Sequence, residues 1–141
     1  MPFDFACPDW FDRLKRGETP IADLPLDDKA ADGAVAVFDA LHLPDVPGQP
    51  SLAEAGGDWM RDIVRAIFGS MPKAGPKDSV RAVGDVFVLV PKKNAKTTSA
   101  AAIALTFMLL NERRNADMLI IGPTQQISDT ATGYLESHPF V

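Results

Sequence analysis

Proline interrupts the hydrophobic pattern throughout the first part of the chain. Seven prolines fall within residues 1–57, with acidic residues between them, so this part is predicted to be a wrapped arm. One helix is predicted inside the arm, from about Asp27 to Leu41, because apolar residues recur there at three- and four-residue spacing. The residues of this face are Ala31, Ala34, Val35, Phe38 and Leu41.

The pattern changes at Asp58, where an amphipathic helix is predicted to begin and to run to a natural terminator at Gly69. Its polar side carries Arg61, Asp62 and Arg65. Residues 70–84 contain two prolines and two glycines among charged residues, which is typical of a loop. The apolar positions of the helix are Trp59, Ile63, Val64, Ile67 and Phe68.

Two short apolar runs flank an alanine-rich segment in the second part of the chain. Residues 85–90 and 118–121 are predicted to be buried strands of the parallel type, and residues 96–113 the helix between them, buried on most sides. A right-handed crossover would make the two strands parallel. A third helix is predicted from Gln125 to Ser137.

These elements predict an α/β fold. We expect an incomplete parallel sheet of the P-loop NTPase type with flanking helices, preceded by the proline-rich, partly helical arm. The arm is assigned to residues 1–57 and the N-terminal portion of a P-loop ATPase domain to residues 58–141.

Composition narrows the functional classes. A formal net charge of −5 and a pI near 4.9 argue against a surface that binds nucleic acid by itself. The single cysteine excludes an intramolecular disulfide, and two histidines are too few for a zinc cluster. Neither a membrane span nor a signal peptide is visible, so the chain is predicted to be cytoplasmic.

The most informative motif lies between the first predicted strand and the next helix. Residues 90–98 read Val-Pro-Lys-Lys-Asn-Ala-Lys-Thr-Thr, and in the phosphate-binding pattern GxxxxGK[ST] the last two positions would be Lys96 and Thr97. In that role Lys96 contacts the β/γ-phosphates and Thr97 binds Mg²⁺. Val90 and Ala95 replace the two glycines, and an alanine adds one methyl group to the loop. A basic loop that caps a helix is the alternative interpretation.

Three blocks in this order resemble the large subunit of tailed-bacteriophage terminases, the ATP-driven motors that package DNA into the procapsid. The resemblance covers the chain from about residue 52 onward. The blocks are Gly57-Asp58-Trp59 leading to Phe68-Gly69, then Lys93-Asn94-Ala95-Lys96-Thr97-Thr98, then Ile121-Gly122-Pro123-Thr124-Gln125.

The resemblance implies a nucleotide site for ATP and Mg²⁺. Lys93, Asn94, Ala95, Lys96, Thr97 and Thr98 would bind the nucleotide, with Thr97 on the metal and Lys93 as a second cation for the triphosphate. Trp59 would lie on the adenine side, although its spacing with Ile63 and Ile67 favours a core position. Thr124 and Gln125 would form a coupling loop, although a turn followed by a helix N-cap explains the same residues.

The chain lacks the acidic strand end that the family uses for hydrolysis, since Glu112, Asp117, Asp129 and Glu136 do not close an apolar strand. The family's nuclease domain would lie beyond Val141. One hypothesis is therefore an N-terminal fragment of the motor, whose full-length form binds double-stranded DNA, the small subunit and the portal as a homo-oligomeric ring. A non-catalytic module that binds the small subunit or portal, and a helicase-like P-loop protein, are the alternatives.

Overall fold

The computed structural model describes residues 7–71, 82–112, 115 and 117–138. Within these residues all regular secondary structure is helical, and no β-strand is present. The helices are α1 (Trp10–Lys15), α2 (Asp28–Ala40), α3 (Leu52–Ala55), α4 (Asp58–Gly69), α5 (Lys96–Leu109) and α6 (Gln125–Glu136). None of these helices has the length and apolar character needed to cross a membrane.

The chain divides into two compact units. Unit 1 comprises Met1–Ala36 and Gly57–Val86, and unit 2 comprises Val37–Gly56 and Phe87–Val141. Unit 1 contains α1, the first part of α2, and α4. Unit 2 contains the last turn of α2 together with α3, α5 and α6.

The two helices predicted in the first 70 residues are confirmed. α2 spans Asp28–Ala40 and α4 spans Asp58–Gly69. The buried face of α4 centres on Met60, Val64 and Ile67, because these positions recur at three- and four-residue spacing. Val64 and Ile67 are buried as predicted, whereas Trp59, Ile63 and Phe68 are only half-buried and Met60 is buried instead. On α2 the buried residues are Ala31, Ala34 and Phe38.

The arm is hydrogen-bonded to α4 in the middle of that helix and at its C-terminal end. The Thr19 hydroxyl donates to the Asp62 carboxylate at 2.8 Å, and the Asp27 N–H donates to the Gly69 carbonyl at 2.7 Å. A side chain at Gly69 would place its Cβ 2.6 Å from the Ala31 Cβ. Gly69 is therefore required by the close approach of α2, and the C-cap is Ser70 rather than a left-handed glycine.

In unit 2, α5 packs against α6. α5 begins at Lys96 as predicted but ends at Leu109, and the predicted end near Arg113 lies outside the described residues. Met108 and Leu109 are exposed, so burial on most sides holds only for the central turns. The buried residues of the two helices are Ser99, Ala101, Ala102, Leu105 and Thr106 on α5, and Ala131, Tyr134 and Leu135 on α6.

α3 is a single turn that the hydrophobic pattern did not predict. It is held by a capping box in which the Ser51 N–H donates to the Glu54 carboxylate at 2.9 Å and the Glu54 N–H donates to the Ser51 hydroxyl. The hydrogen bonds from the Ser51 backbone and hydroxyl lower the pKa of Glu54 below its ordinary value. α1 was likewise not predicted.

The predicted parallel sheet is wrong. Residues 85–90 and 118–121 have no regular secondary structure, and β-pairing in the described residues is limited to the isolated bridges Leu26–Ser70 and His42–Ser51. An apolar run becomes a strand only when a neighbouring strand satisfies its backbone N–H and C=O groups. Neither run has such a partner in the described residues, so the α/β fold class is replaced by a helical one.

The two apolar runs expose every second residue. In the first run Phe87 and Leu89 are 89% and 84% exposed, against 49% and 39% for Val86 and Val88. In the second run Leu119 and Ile121 are 84% and 82% exposed, against 46% and 36% for Met118 and Ile120. One side of each run is thus left without a covering layer.

Candidate nucleotide-binding loop

The segment that joins Val90 to α5 is a tight turn with left-handed backbone at two residues. The backbone φ angle is +68° at Lys93 and +48° at Ala95. Residues other than glycine seldom adopt such values. Ala95 is the N-cap residue of α5, so the left-handed conformation lies at the position where the phosphate-binding pattern has its second glycine.

Side chains of the loop itself occupy its carbonyl groups. The Lys96 ammonium donates to the Val90 carbonyl at 3.2 Å, and the Asn94 amide donates to the Pro91 carbonyl at 3.2 Å. The Ser99 hydroxyl donates to the Ala95 carbonyl at 2.7 Å. These bonds hold the loop closed and leave fewer acceptors facing solvent.

The backbone N–H groups at the end of the loop have no hydrogen-bond partner among the described residues. The backbone N–H groups of Ala95, Lys96, Thr97 and Thr98 form no backbone hydrogen bond to any described residue. Three of them belong to the first turn of α5, where a helix has no internal acceptors. The methyl group of Ala95 cannot cap them, and no side-chain cap is present. Free N–H groups at a helix N-terminus form a site suited to an anion.

The loop side chains add positive charge next to these N–H groups, whose hydrogen atoms also carry partial positive charge. Lys92, Lys93 and Lys96 are all exposed, and the first turn of α5 contains no acidic residue. The part of the chain that the structure describes supplies no carboxylate in an ion pair with these lysines. The loop is therefore a local positive site on a chain whose net charge is −5.

Thr97 is half-buried in the first turn of α5, next to the free N–H groups. Its hydroxyl forms no hydrogen bond to a described residue, so it is available as an oxygen ligand. No cluster of three or more metal-binding side chains occurs in the described residues. This arrangement fits a Mg²⁺ ion that arrives with phosphate oxygens and water and takes one oxygen ligand from the protein.

Trp59 and the loop belong to different units. Trp59 lies at the start of α4 in unit 1, half-buried, whereas the loop belongs to unit 2. A Cβ at Gly57 would stand 2.8 Å from the Trp59 indole nitrogen, which shows how closely the indole lies over the preceding backbone. The predicted adenine-side role of Trp59 stays a prediction.

Thr124 and Gln125 form the entry of α6. Thr124 is the N-cap residue, as predicted, but its hydroxyl makes no capping bond. Its carbonyl accepts from the Ile127 N–H at 3.1 Å, and the Gln125 amide donates to the Asp129 carboxylate at 2.7 Å. The local contacts are those of a turn followed by a helix, and the predicted coupling role stays a prediction.

Ser99 lies outside the sequence motif but forms hydrogen bonds to the loop. Its buried hydroxyl and its backbone N–H both donate to the Ala95 carbonyl, at 2.7 and 2.8 Å. These bonds hold the N-cap residue against the first turn of α5. The signal in the sequence is a small hydroxyl residue four positions after Ala95, directly before the apolar run that begins at Ala100.

Comparison with known proteins returned no relative of this chain. No model of a known protein family matches it, and neither a curated protein nor a solved structure matches it. The functional interpretation of the loop therefore depends on its sequence and its geometry.

Proposed function

We propose that this chain binds the triphosphate of ATP, together with Mg²⁺, at the loop from Lys93 to Thr98. In this proposal it is the N-terminal part of a phage terminase large subunit, in which ATP powers DNA translocation into the procapsid in the bacterial cytoplasm. The observation that carries the proposal is that side chains occupy carbonyl groups of the loop, whereas the backbone N–H groups of residues 95–98 have no partner among the described residues. The proposal depends on the loop and on α5, and it requires no sheet.

Each group in the loop has a distinct task in this proposal. The N–H groups of Ala95 through Thr98 bind phosphate oxygens, and the dipole of α5 adds to the attraction. Lys96 exchanges the Val90 carbonyl for a phosphate oxygen, and Lys93 adds a second positive charge. The Thr97 hydroxyl supplies the one protein ligand of the Mg²⁺ ion.

We expect binding without turnover. Hydrolysis requires a group that orients or activates the attacking water. In the described residues no carboxylate is hydrogen-bonded to the loop, and the first turn of α5 has none. The chain would hold ATP in a site that lacks this part of the catalytic machinery.

The test is a titration of the purified chain with a fluorescent ATP analogue and Mg²⁺, with a parallel assay of phosphate release. We expect saturable binding and no release above background. Lys96→Ala should weaken binding by at least about tenfold, because a hydrogen bond to a charged group contributes roughly 1.5–3 kcal/mol. Circular dichroism should show unchanged helix content in the variant.

Lys92→Ala is the matched control. It removes the same charge from the same loop, but the Lys92 side chain makes no hydrogen bond to the loop backbone in the described residues. We expect its effect on affinity to be several-fold smaller than that of Lys96→Ala. Equal affinity for wild type and a folded Lys96→Ala variant would remove the support for a nucleotide site.

The exposed apolar runs favour a second candidate function, a non-catalytic module that binds a protein partner such as the terminase small subunit or the portal. Phe87, Leu89, Leu119 and Ile121 are more than four-fifths exposed. Apolar surface of this kind marks interaction sites. In this case Leu89→Lys should abolish co-elution with the purified partner and leave binding of the ATP analogue unchanged.

A further inference from the structure

His138 is a buried histidine whose two ring nitrogens are both engaged. Its Nδ1 lies 2.9 Å from the Tyr134 carbonyl oxygen, and its Nε2 lies 3.1 Å from the His42 backbone nitrogen. A carbonyl oxygen only accepts, so Nδ1 must carry the hydrogen. A backbone N–H only donates, so Nε2 must be bare. The contacts are compatible only with the neutral ring protonated at Nδ1.

This ring connects the end of α6 to a closed loop 96 positions earlier in the chain, within unit 2. The loop is held by its own backbone bonds, from Leu43 N–H to the Pro50 carbonyl at 2.9 Å and from Leu52 N–H to the Leu41 carbonyl at 2.7 Å. His42 pairs with Ser51 in an isolated bridge. The loop can therefore separate from α6 while its own backbone bonds remain intact.

Among the described residues, the titratable groups around the ring offer no compensation for a positive charge. The Tyr134 ring lies 4.7 Å away and its hydroxyl stays protonated to high pH, since burial raises the pKa of Tyr134 to about 12. The imidazole of His42 is exposed and bonded to the Gln49 carbonyl. No carboxylate in the described part of the chain forms an ion pair with His138.

The neighbouring elements contain few other charges. α5, which packs on α6, has one charged residue, Lys96, at its N-terminal end. In unit 2 the acidic residues of the helices are Asp39 on the last turn of α2, Glu54 on α3, and Asp129 and Glu136 on α6. The carboxylate of Glu54 already accepts from Ser51.

We propose that His138 is an acid-sensitive latch between α6 and the His42–Ser51 loop. Uptake of one proton at Nε2 places an N–H group opposite the His42 N–H and an unpaired charge in a buried position. The contact then opens, and the loop separates from α6. This inference is independent of nucleotide binding.

Hydrogen exchange at the amide of residue 42 tests the latch directly, because this amide is the donor. We expect its protection factor to fall at least about tenfold between pH 8 and pH 5.5, the loss of one hydrogen bond of about 1.4 kcal/mol. His138→Phe, which has no acceptor nitrogen, should show the low protection at both pH values. The chain has only one other histidine, His42.

His42→Asn is the matched control, because it removes the other imidazole of the chain and keeps the backbone N–H. It should retain the full dependence on pH. A protection factor at residue 42 that is the same at both pH values in the wild type would overturn the proposal. If His138→Phe does not fold, ¹⁵N spectra of wild-type His138 at pH 8 decide instead: a bare Nε2 supports the latch, and a proton on Nε2 overturns it.

Discussion

The Lys96 ammonium donates to the Val90 carbonyl oxygen at 3.2 Å. Lys96 is the first residue of α5 and Val90 stands at the start of the loop, so this hydrogen bond joins the two ends of the loop. The same side chain is the proposed ligand of the β/γ-phosphates. A phosphate must therefore compete with a neutral carbonyl for the ammonium, and charge-assisted bonds to an anion are the stronger ones. The loop is held closed by a contact that, in the proposed function, a phosphate would displace.

Because the backbone at Ala95 is left-handed, we expect the substitution of alanine by glycine to affect the free energy of unfolding differently at Ala95 and at Ala100. Ala95→Gly should leave the free energy of unfolding unchanged or raise it by up to about 1 kcal/mol, because glycine removes a steric cost of about 1–2 kcal/mol and adds unfolded-state entropy. Ala100→Gly, on an exposed right-handed turn of α5, should lower it by about 1 kcal/mol. Urea denaturation measures both. Equal losses for the two variants would contradict the left-handed geometry.

Because Leu89 is exposed, we expect a charged residue at this position to have little effect on the stability of the fold. Leu89→Lys should change the free energy of unfolding by no more than about 0.5 kcal/mol, because this side chain is mostly in solvent. Leu105→Ala, at a fully buried position of α5, should cost about 2–5 kcal/mol. Both values come from denaturant melts of the full chain. A loss at Leu89 as large as that at Leu105 would mean that the run is a buried strand after all.

The ion pairs of Arg65 predict a small coupling between α2 and α4. The Arg65 guanidinium bonds to the Asp28 carboxylate at 3.0 Å and also to Asp32. The two carboxylates are largely exposed and the Arg65 side chain is 31% exposed, so a double-mutant cycle of Arg65→Met with Asp28→Asn should give a coupling of about 0.2–1 kcal/mol that decreases at high salt. The cycle for the exposed pair Lys15–Asp12 should give about half that or less. A salt-independent coupling would argue against an ion pair.

Tyr134 is the only tyrosine of the chain, so its titration is directly visible in phenolate absorbance. Burial raises the pKa of Tyr134 to about 12, and its hydroxyl has no hydrogen-bond partner in the described residues. The folded state favours the neutral phenol, so this contribution to stability is complete below about pH 10 and is lost as the pH rises toward about 12. In denaturant the midpoint should return to about 10. A midpoint near 10 in the folded chain would show that the phenol is hydrated.

The elements that were predicted correctly from the local sequence pattern are single helices. The spacing of Ala31 and Phe38 identified α2, and the alternation of apolar and charged residues identified α4. α5 was predicted to begin at Lys96 because a basic loop precedes an alanine-rich segment, and it does. A helix satisfies its own backbone hydrogen bonds, so its sequence contains most of the information needed to place it.

The same reasoning failed for the two apolar runs. A stretch such as residues 86–90 has the composition of a buried strand, but a strand requires a partner that supplies hydrogen bonds and a layer that covers it. Neither condition can be read from the run itself. The described structure leaves Phe87 and Leu119 in solvent, so composition predicted a burial that the fold does not provide.

The sequence by itself determined α2, α4, α6 and the start of α5, the lysines and the threonine of the loop, and the junction of that loop with α5, because each depends on residues close together in the chain. Only the tertiary structure decided which groups in the loop are occupied, through the contacts of Lys96 with Val90 and of Ser99 with Ala95. It also placed the buried ring of His138 against the His42 amide. Hydrogen-bond geometry and burial depend on where the backbone goes, and spacing along the chain does not contain that information.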